Sequence, residues 1–164
     1  GHLFDVARLG DQLIALADAR GLSPAHGNRG GLVHALRSLV ARSRDLYGLN
    51  VRFRSKVWPQ LTLDEEQSTH LYRIAQEALT NIERHSQASE VALSLMSRAQ
   101  ALRLTISDNG VGFDPDALLD QTRCGLGLSS MRERVETLGG LFSIRSGAQG
   151  TSIEIVLPAQ ARKT

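Results

Sequence analysis

The stretch from Leu71 to His85 combines two side-chain stripes on one predicted helix. Apolar residues recur there at three- and four-residue steps, the spacing of a core-facing stripe: Leu71, Ile74, Ala75, Ala78, Leu79 and Ile82. Glu77, Asn81 and Arg84 follow the same steps, with His85 beside them, and residues spaced in this way share one side of a helix. The chain is therefore expected to contain a core helix with one chemically unusual edge.

That edge has two interpretations. Its amide and carboxylate oxygens suit Mg2+, and its two basic groups suit phosphate, which together favour a nucleotide pocket. The alternative is an amphipathic helix with an ordinary solvated face. The helix alone does not decide between them, and the glycine motifs downstream favour the pocket.

Composition limits the class of protein. A chain of 164 residues with 41% hydrophobic residues predicts one globular domain with a sizeable core. A net charge of +2 and 4% aromatic residues argue against nucleic acid as a partner. The single cysteine, Cys124, excludes an internal disulfide and indicates a reducing, cytoplasmic setting. The chain begins Gly-His, so we interpret it as part of a longer parent protein. That parent protein is compatible with a membrane anchor.

The first third predicts two helices and a strand. Apolar residues with coiled-coil spacing, compatible either with packing on the domain or with pairing to another chain, are Val6, Leu9, Leu13 and Leu16. Turn-forming residues 23–31 read as a linker, and a second helix is expected from Leu32 to Tyr47. Residues 51–56 alternate as a half-buried strand whose basic face we interpret as solvated or edge-protecting.

The remaining elements predict an α+β fold. Capping-box spacings are expected to start helices at Thr62–Glu65 and at Ser130–Glu133. Strands with period-two alternation are centred on Leu93, Leu104, Ile144 and Ile155, with a hairpin at Gln100. This order does not alternate strand and helix. We therefore expect a two-layer sandwich, with helices on one face of a mixed, mostly antiparallel sheet.

Asp108 shares the parity of the inward-facing residues Leu102, Leu104 and Ile106. A carboxylate on that face needs hydrogen-bond donors, and the exocyclic amine of a purine is a fitting one. The competing interpretation is an Asp that starts an Asp-Asn-Gly turn. Thr151 has the inward parity of the last strand, so its hydroxyl is expected near Asp108.

Two glycine pairs flank a polar segment. Gly110 and Gly112 follow Asp108, while Gly125 and Gly127 precede a predicted helix. Glycine allows close approach of backbone to ligand, and a glycine loop at a helix N-terminus favours phosphate. The segment 114–123 between the pairs is interpreted as a mobile loop over the site.

These motifs together resemble a known superfamily. QEALTNIERH resembles the N box, DNGVGF the G1 box and GLGLSSMRERV the G2 box of the ATP-binding domain shared by sensor histidine kinases, gyrase, MutL and the heat-shock chaperone. RHS after the Asn, MRERV, and the ending GTSIEIVLP resemble the nitrate-sensor type of bacterial histidine kinase. The resemblance covers Leu71 to Pro158 and implies the Bergerat-type sandwich.

The resemblance implies ATP and Mg2+ as ligands. Asn81 would ligate the Mg2+ that bridges the phosphates, and the catalytic Glu77 would bind Mg2+ through water or polarise the attacking group. Arg84 and His85 would contact phosphates. Asp108, with Thr151 nearby, would accept from the adenine amine. The implied glycine-motif contacts to nucleotide are Gly110, Gly112, Gly125, Leu126, Gly127 and Leu128.

One departure from the family pattern concerns the phosphate acceptor. Kinases of this type carry the acceptor His on a first dimerisation helix, but His2, His26, His34 and His70 lack its context, and His85 belongs to the N box. The resemblance therefore implies that residues 1–28 are a remnant of the second dimerisation helix with its linker, 29–160 the catalytic domain and 161–164 a tail.

The implied partners follow from that domain assignment. The domain would phosphorylate a helix absent from this chain, for relay to a response-regulator receiver domain. The parent would be a homodimer, and the fragment is compatible with a monomer. The alternatives are a serine kinase of the anti-sigma type and a non-catalytic nucleotide-binding module.

Overall fold

A computed structural model of the chain describes residues 29–58, 61–112, 127–158 and 160–161. The expected N-terminal helix, the loop 114–123, and the predicted site residues Gly125 and Leu126 lie outside the described residues. Among the helices in the part of the chain that the structure describes, none is both long enough and apolar enough to cross a membrane.

The described elements follow one another in a mixed order. They are α1 (Arg29–Tyr47), β1 (Val51–Lys56), β2 (Leu61–Thr62), α2 (Glu65–Asn81), a π-helical turn (Ile82–Ser86), β3 (Val91–Arg98), β4 (Ala101–Asp108), α3 (Leu128–Thr137), β5 (Leu141–Gly147), β6 (Gly150–Pro158) and β7 (Gln160–Ala161).

The main sheet has five strands in the order β1-β3-β4-β6-β5. β1 pairs in parallel with β3, and the other three pairs are antiparallel. The predicted α+β class, with a mixed and mostly antiparallel sheet, is therefore confirmed. A second, two-stranded sheet of β2 and β7 was not predicted, because two-residue strands have no readable periodicity.

One face of the sheet forms the core. The inward residues of β3 and β4 are almost completely buried, and so are Leu32, Leu36 and Leu39 of α1. α1 contacts α2 and β1, α2 contacts β4, and α3 contacts β5, which places the helices on this face. On the opposite face, Arg52 and Arg103 are exposed. Hydrophobic burial on one face therefore fixes the two-layer arrangement.

Both predicted capping boxes were wrong in position. Gln67 N donates to Asp64 Oδ1 at 2.7 Å, and Asp64 N donates to Gln67 Oε1 at 3.0 Å, so Asp64 caps α2. Thr62 does not cap the helix because it lies in β2, where it pairs with Gln160 of β7.

The helix α3 begins at Leu128, before the predicted cap at Ser130. Gly127 precedes it with φ of +65°. Glycine adopts this left-handed conformation at little cost, so the chain enters the helix without a side-chain cap.

Candidate functional site

A cleft opens between the C-terminal end of α2 and the adjoining ends of β4 and β6. It is lined by Ala78, Asn81, Ile82, His85, Ser86, Ile106, Asp108, Gly112, Leu128, Thr151 and Ile153. The volume of the cleft is about 30 Å3. It is therefore a narrow slot with mostly apolar walls and a few polar groups, the usual composition of a small-molecule site.

The cleft brings together six of the residues predicted from sequence. Asn81 and His85 come from the helical side, Asp108 and Thr151 from the strands, Gly112 from the loop after β4, and Leu128 from the start of α3. Glu77, Arg84, Gly110 and Gly127 are not among the lining residues. Tertiary structure thus brings together predicted residues that are far apart in sequence: Asn81 and Thr151 are seventy positions apart and line the same cleft.

A π-helical turn follows α2. α2 stops at Asn81, and Ile82–Ser86 continues as a π-helical turn that ends at Gln87 with φ of 54°. His85 lines the cleft. Burial and then Glu83 raise the pKa of the Tyr47 phenol, while Arg84 lowers it. Arg84 does not line the cleft. π-Helical turns are frequent at functional sites.

Ser86 is a site residue that the sequence reasoning missed. Its carbonyl oxygen accepts from Val111 N at 2.7 Å, and its hydroxyl donates to Ile82 O at 2.8 Å. A Cβ on Gly110 would overlap the same Ser86 carbonyl oxygen. Ser86 therefore fixes the loop after β4 against the helical side of the cleft. The only sequence signal was a small hydroxyl residue directly after the Arg-His pair.

Asp108 is half-buried at the end of β4. Gly110 N donates to its Oδ1 at 2.8 Å. Burial raises the pKa of Asp108, and the backbone N–H groups of Gly110 and Thr151 partly offset this rise. The carboxylate therefore has both the turn-forming bond of an Asp-Asn-Gly segment and a place in the cleft. Its role as an acceptor for a purine amine stays a prediction.

Thr151 lies opposite Asp108 in the register of β4 and β6. Its side chain is 8% exposed and lines the cleft. Its hydroxyl is 2.6 Å from Ser146 Oγ, so a hydrogen bond with Ser146 orients it. The predicted proximity of Thr151 to Asp108 is therefore present in the structure.

Glu77 carries a buried oxygen without a hydrogen-bond partner among the described residues, Oε2. Burial raises the pKa of Glu77, whereas Arg134 and then Arg73 lower it. A Cβ on Gly127 would lie 3.0 Å from this Oε2. The start of α3 is thus packed directly against the carboxylate, which leaves the oxygen suited to a cation or an ordered water.

The polar residues fit Mg2+ only together with further ligands. In the described part of the chain, no three His, Cys, Asp or Glu residues are close enough to hold a metal ion. Mg2+ in nucleotide sites is usually held by one or two protein oxygens, by phosphates and by water. The Asn81 amide and the Glu77 carboxylate, one helical turn apart, match that requirement.

The fold and the cleft define an ATP-binding domain of the α+β sandwich type. The family of histidine kinase-, DNA gyrase B- and HSP90-like ATPases matches residues 66–161, and the chain belongs to this family.

Named relatives are sensor kinases. The chain is 38% identical to sensor histidine kinase MctS of Rhizobium johnstonii over 133 residues, which is 81% of this chain and 29% of that protein. It is 44% identical to sensor histidine kinase LiaS of Bacillus subtilis over 91 residues, 54% of this chain and 24% of that protein. The chain therefore spans less than a third of the length of these curated relatives.

The fold is also similar to a solved kinase domain. The histidine kinase domain of the Erythrobacter litoralis EL346 blue-light activated histidine kinase has a TM-score of 0.61 and 21% identity, covering 77% of this chain and 60% of that one. At this identity the likeness supports the fold.

Proposed function

We propose that this chain is the ATP·Mg2+-binding catalytic domain of a two-component sensor histidine kinase. It would phosphorylate a histidine on a dimerisation helix of the parent protein, for relay to an aspartate of a response-regulator receiver domain. The observation that carries the proposal is the cleft that joins Asn81 and His85 to Asp108 and Thr151. The names of the relatives favour this function over an anti-sigma type serine kinase or a non-catalytic module.

Asp108 and Thr151 would form the adenine end of the site. A carboxylate accepts hydrogen bonds, and the adenine amine donates them. The apolar side chains of Ile106 and Ile153 line the same region and would contact the flat purine. Burial of Asp108 makes an unpaired charge costly, so a ligand that donates to it gains more there than at an exposed site.

The helical side would form the phosphate end. Mg2+ would supply charge neutralisation across the phosphates when bound, with Asn81 and Glu77 as its protein ligands. His85 would contact a phosphate from the cleft wall. The start of α3 at Leu128 offers backbone N–H groups and a positive dipole end to the same anion. His85 lines the cleft and Arg84 does not, so His85 is the better placed of the two predicted basic residues.

Calorimetric titration with ATP, with and without Mg2+, tests the metal assignment. We expect Mg2+ to strengthen ATP binding to the wild type by about tenfold. The Asn81→Asp variant should change this Mg2+ dependence. The matched control is Asn50→Asp, since Asn50 is exposed and outside the cleft. Equal affinity with and without Mg2+ in both the wild type and Asn81→Asp would show that Asn81 is not a metal ligand.

A further inference from the structure

A second hollow lies at the end of the sheet away from the nucleotide cleft. Its volume is about 560 Å3. Lys56, Val57 and Trp58 form one side, and Ser97, Arg98 and the turn 99–100 form the other. β4 connects the two sites, because it runs from this turn to Asp108 over eight residues, about 24 Å. The hollow is therefore separate from the ATP-binding residues.

The lining of this distal hollow combines positive charge with an exposed aromatic ring. Of the described residues that line it, only Lys56 and Arg98 are charged, and both are exposed. The side chain of Trp58 is 43% exposed, although tryptophan is usually buried. The site thus presents two cations and an indole to solvent.

Trp58 is held in place by its backbone. Trp58 N donates to Ser97 Oγ at 2.6 Å, which ties the segment after β1 to the end of β3. Leu61 N donates to Trp58 O at 3.0 Å, so the backbone carbonyl of Trp58 is engaged as well. Because both backbone groups are engaged, the main chain at Trp58 is held at the rim of the hollow, and its ordering on binding costs little entropy.

We propose that the distal hollow binds an acidic peptide segment of a partner protein. Glu or Asp side chains of the segment would pair with Lys56 and Arg98, and an apolar side chain would pack on Trp58. Charge complementarity selects the acidic partner, and Trp and Arg are the residues that most often dominate protein interfaces. The concave shape favours a peptide over a lipid surface, because a flat bilayer cannot fill a hollow of this volume.

The experiment uses the intrinsic fluorescence of Trp58, the single tryptophan of the chain. The probe is the acetylated and amidated peptide Glu-Glu-Leu-Glu-Glu-Phe. We expect a saturable change in the emission of Trp58. Raising NaCl from about 50 mM to about 500 mM should weaken binding several-fold, because the contacts are charged.

A pair of matched double variants locates the site. Lys56→Glu with Arg98→Glu should weaken peptide binding by about tenfold or more. Arg52→Glu with Arg54→Glu makes the same charge change on β1 outside the hollow, and binding should stay within about twofold of the wild type. Circular dichroism and an ATP titration check that each variant is folded.

Three results would overturn the proposal. One is an emission spectrum that does not change at up to about 5 mM peptide, a concentration at which even very weak binding is visible. Another is a saturable change that is the same in the Lys56→Glu, Arg98→Glu variant. The third is binding to vesicles of phosphatidylcholine and phosphatidylglycerol without binding to the peptide, which would identify a lipid surface instead.

Discussion

Ser86 accepts a hydrogen bond from Val111 through backbone atoms, at 2.7 Å. The bond joins the π-helical turn after α2 to the loop after β4, two segments that carry different parts of the cleft. At the adjacent residue, Gly110, no side chain fits, because a Cβ would overlap the Ser86 carbonyl oxygen. The geometry of the cleft therefore depends on this backbone contact.

Gly110→Ala should destabilise the protein. The added Cβ must displace the Ser86 carbonyl, so we expect the free energy of unfolding to fall by about 2–4 kcal/mol and ATP binding to weaken with it. The matched control is Gly147→Ala, because a Cβ there meets no atom within 4 Å. Urea denaturation of both variants measures the difference. Equal stability of the two variants would show that the Ser86 contact yields without cost.

Asp108→Asn should weaken ATP binding while the fold is kept. The carbonyl oxygen of Asn can still accept a hydrogen bond from Gly110 N. The variant loses the second, negatively charged oxygen that would accept a hydrogen bond from the adenine amine. We expect a loss of about tenfold to a hundredfold in affinity, the usual cost of one hydrogen bond to a charged group. Calorimetry of Asp45→Asn, which changes an exposed carboxylate on α1, supplies the control. An unchanged affinity in Asp108→Asn would remove Asp108 from the site.

Glu77→Gln should stabilise the fold and reduce the Mg2+ dependence of ATP binding. Burial raises the pKa of Glu77 above its ordinary value of 4.5. A raised folded-state pKa favours folding at low pH, and this contribution is lost as pH rises through the folded-state pKa. Near neutral pH the neutral Gln should therefore gain about 0.5–1 kcal/mol over Glu.

The pH dependence separates this effect from a general change in packing. The advantage of Glu77→Gln should disappear below about pH 4, where Glu is protonated in both the folded and unfolded states. Thermal unfolding at several pH values measures it, with the exposed Glu83→Gln as control. A gain that is independent of pH would mean that ionisation of Glu77 is not its source.

His70 should make the α2–α3 contact sensitive to pH. Arg134 Nη1 lies 3.1 Å from His70 Nδ1, a contact that requires neutral imidazole at that nitrogen. Burial and then Arg134 lower the pKa of His70 from its ordinary value of 6.5, Glu66 raises it, and Arg73 lowers it. A lowered folded-state pKa contributes stability above the unfolded-state pKa of 6.5, and this is lost as pH falls through the folded-state value.

Thermal unfolding of His70→Gln tests this contact. Between about pH 7.5 and about pH 5.5 the wild type should lose up to about 1 kcal/mol relative to His70→Gln. His34→Gln, which changes an exposed histidine on α1, should follow the wild type. Parallel pH curves for the wild type and His70→Gln would contradict the prediction.

The chain is expected to bind ATP without forming phosphohistidine on itself. None of its five histidines has the sequence context of an acceptor in this family. Incubation with ATP labelled at the γ-phosphate, followed by tests for acid-labile and alkali-stable phosphate, measures this directly. A stable phosphohistidine on the purified chain would contradict it.

The sequence by itself determined which faces of the elements are buried. Alternation along β3, β4 and β6 and the three- and four-residue steps of α2 are local patterns, and the buried residues follow them. Parity likewise placed Asp108 and Thr151 on the inward face, and both line the cleft. These predictions succeeded because hydrophobic burial acts on each residue according to the period of its own element.

Only the tertiary structure decided how those elements meet. Three features leave no local pattern in the chain. They are the parallel pairing of β1 with β3, the β2–β7 sheet that contains Thr62, and the π-helical turn after Asn81. Each depends on contacts between residues far apart in sequence. Local periodicity determines which side of a helix or strand is buried. The pairing partner of a strand, the cap of a helix and the position of a π-helical turn are set by packing that exists only in the folded chain.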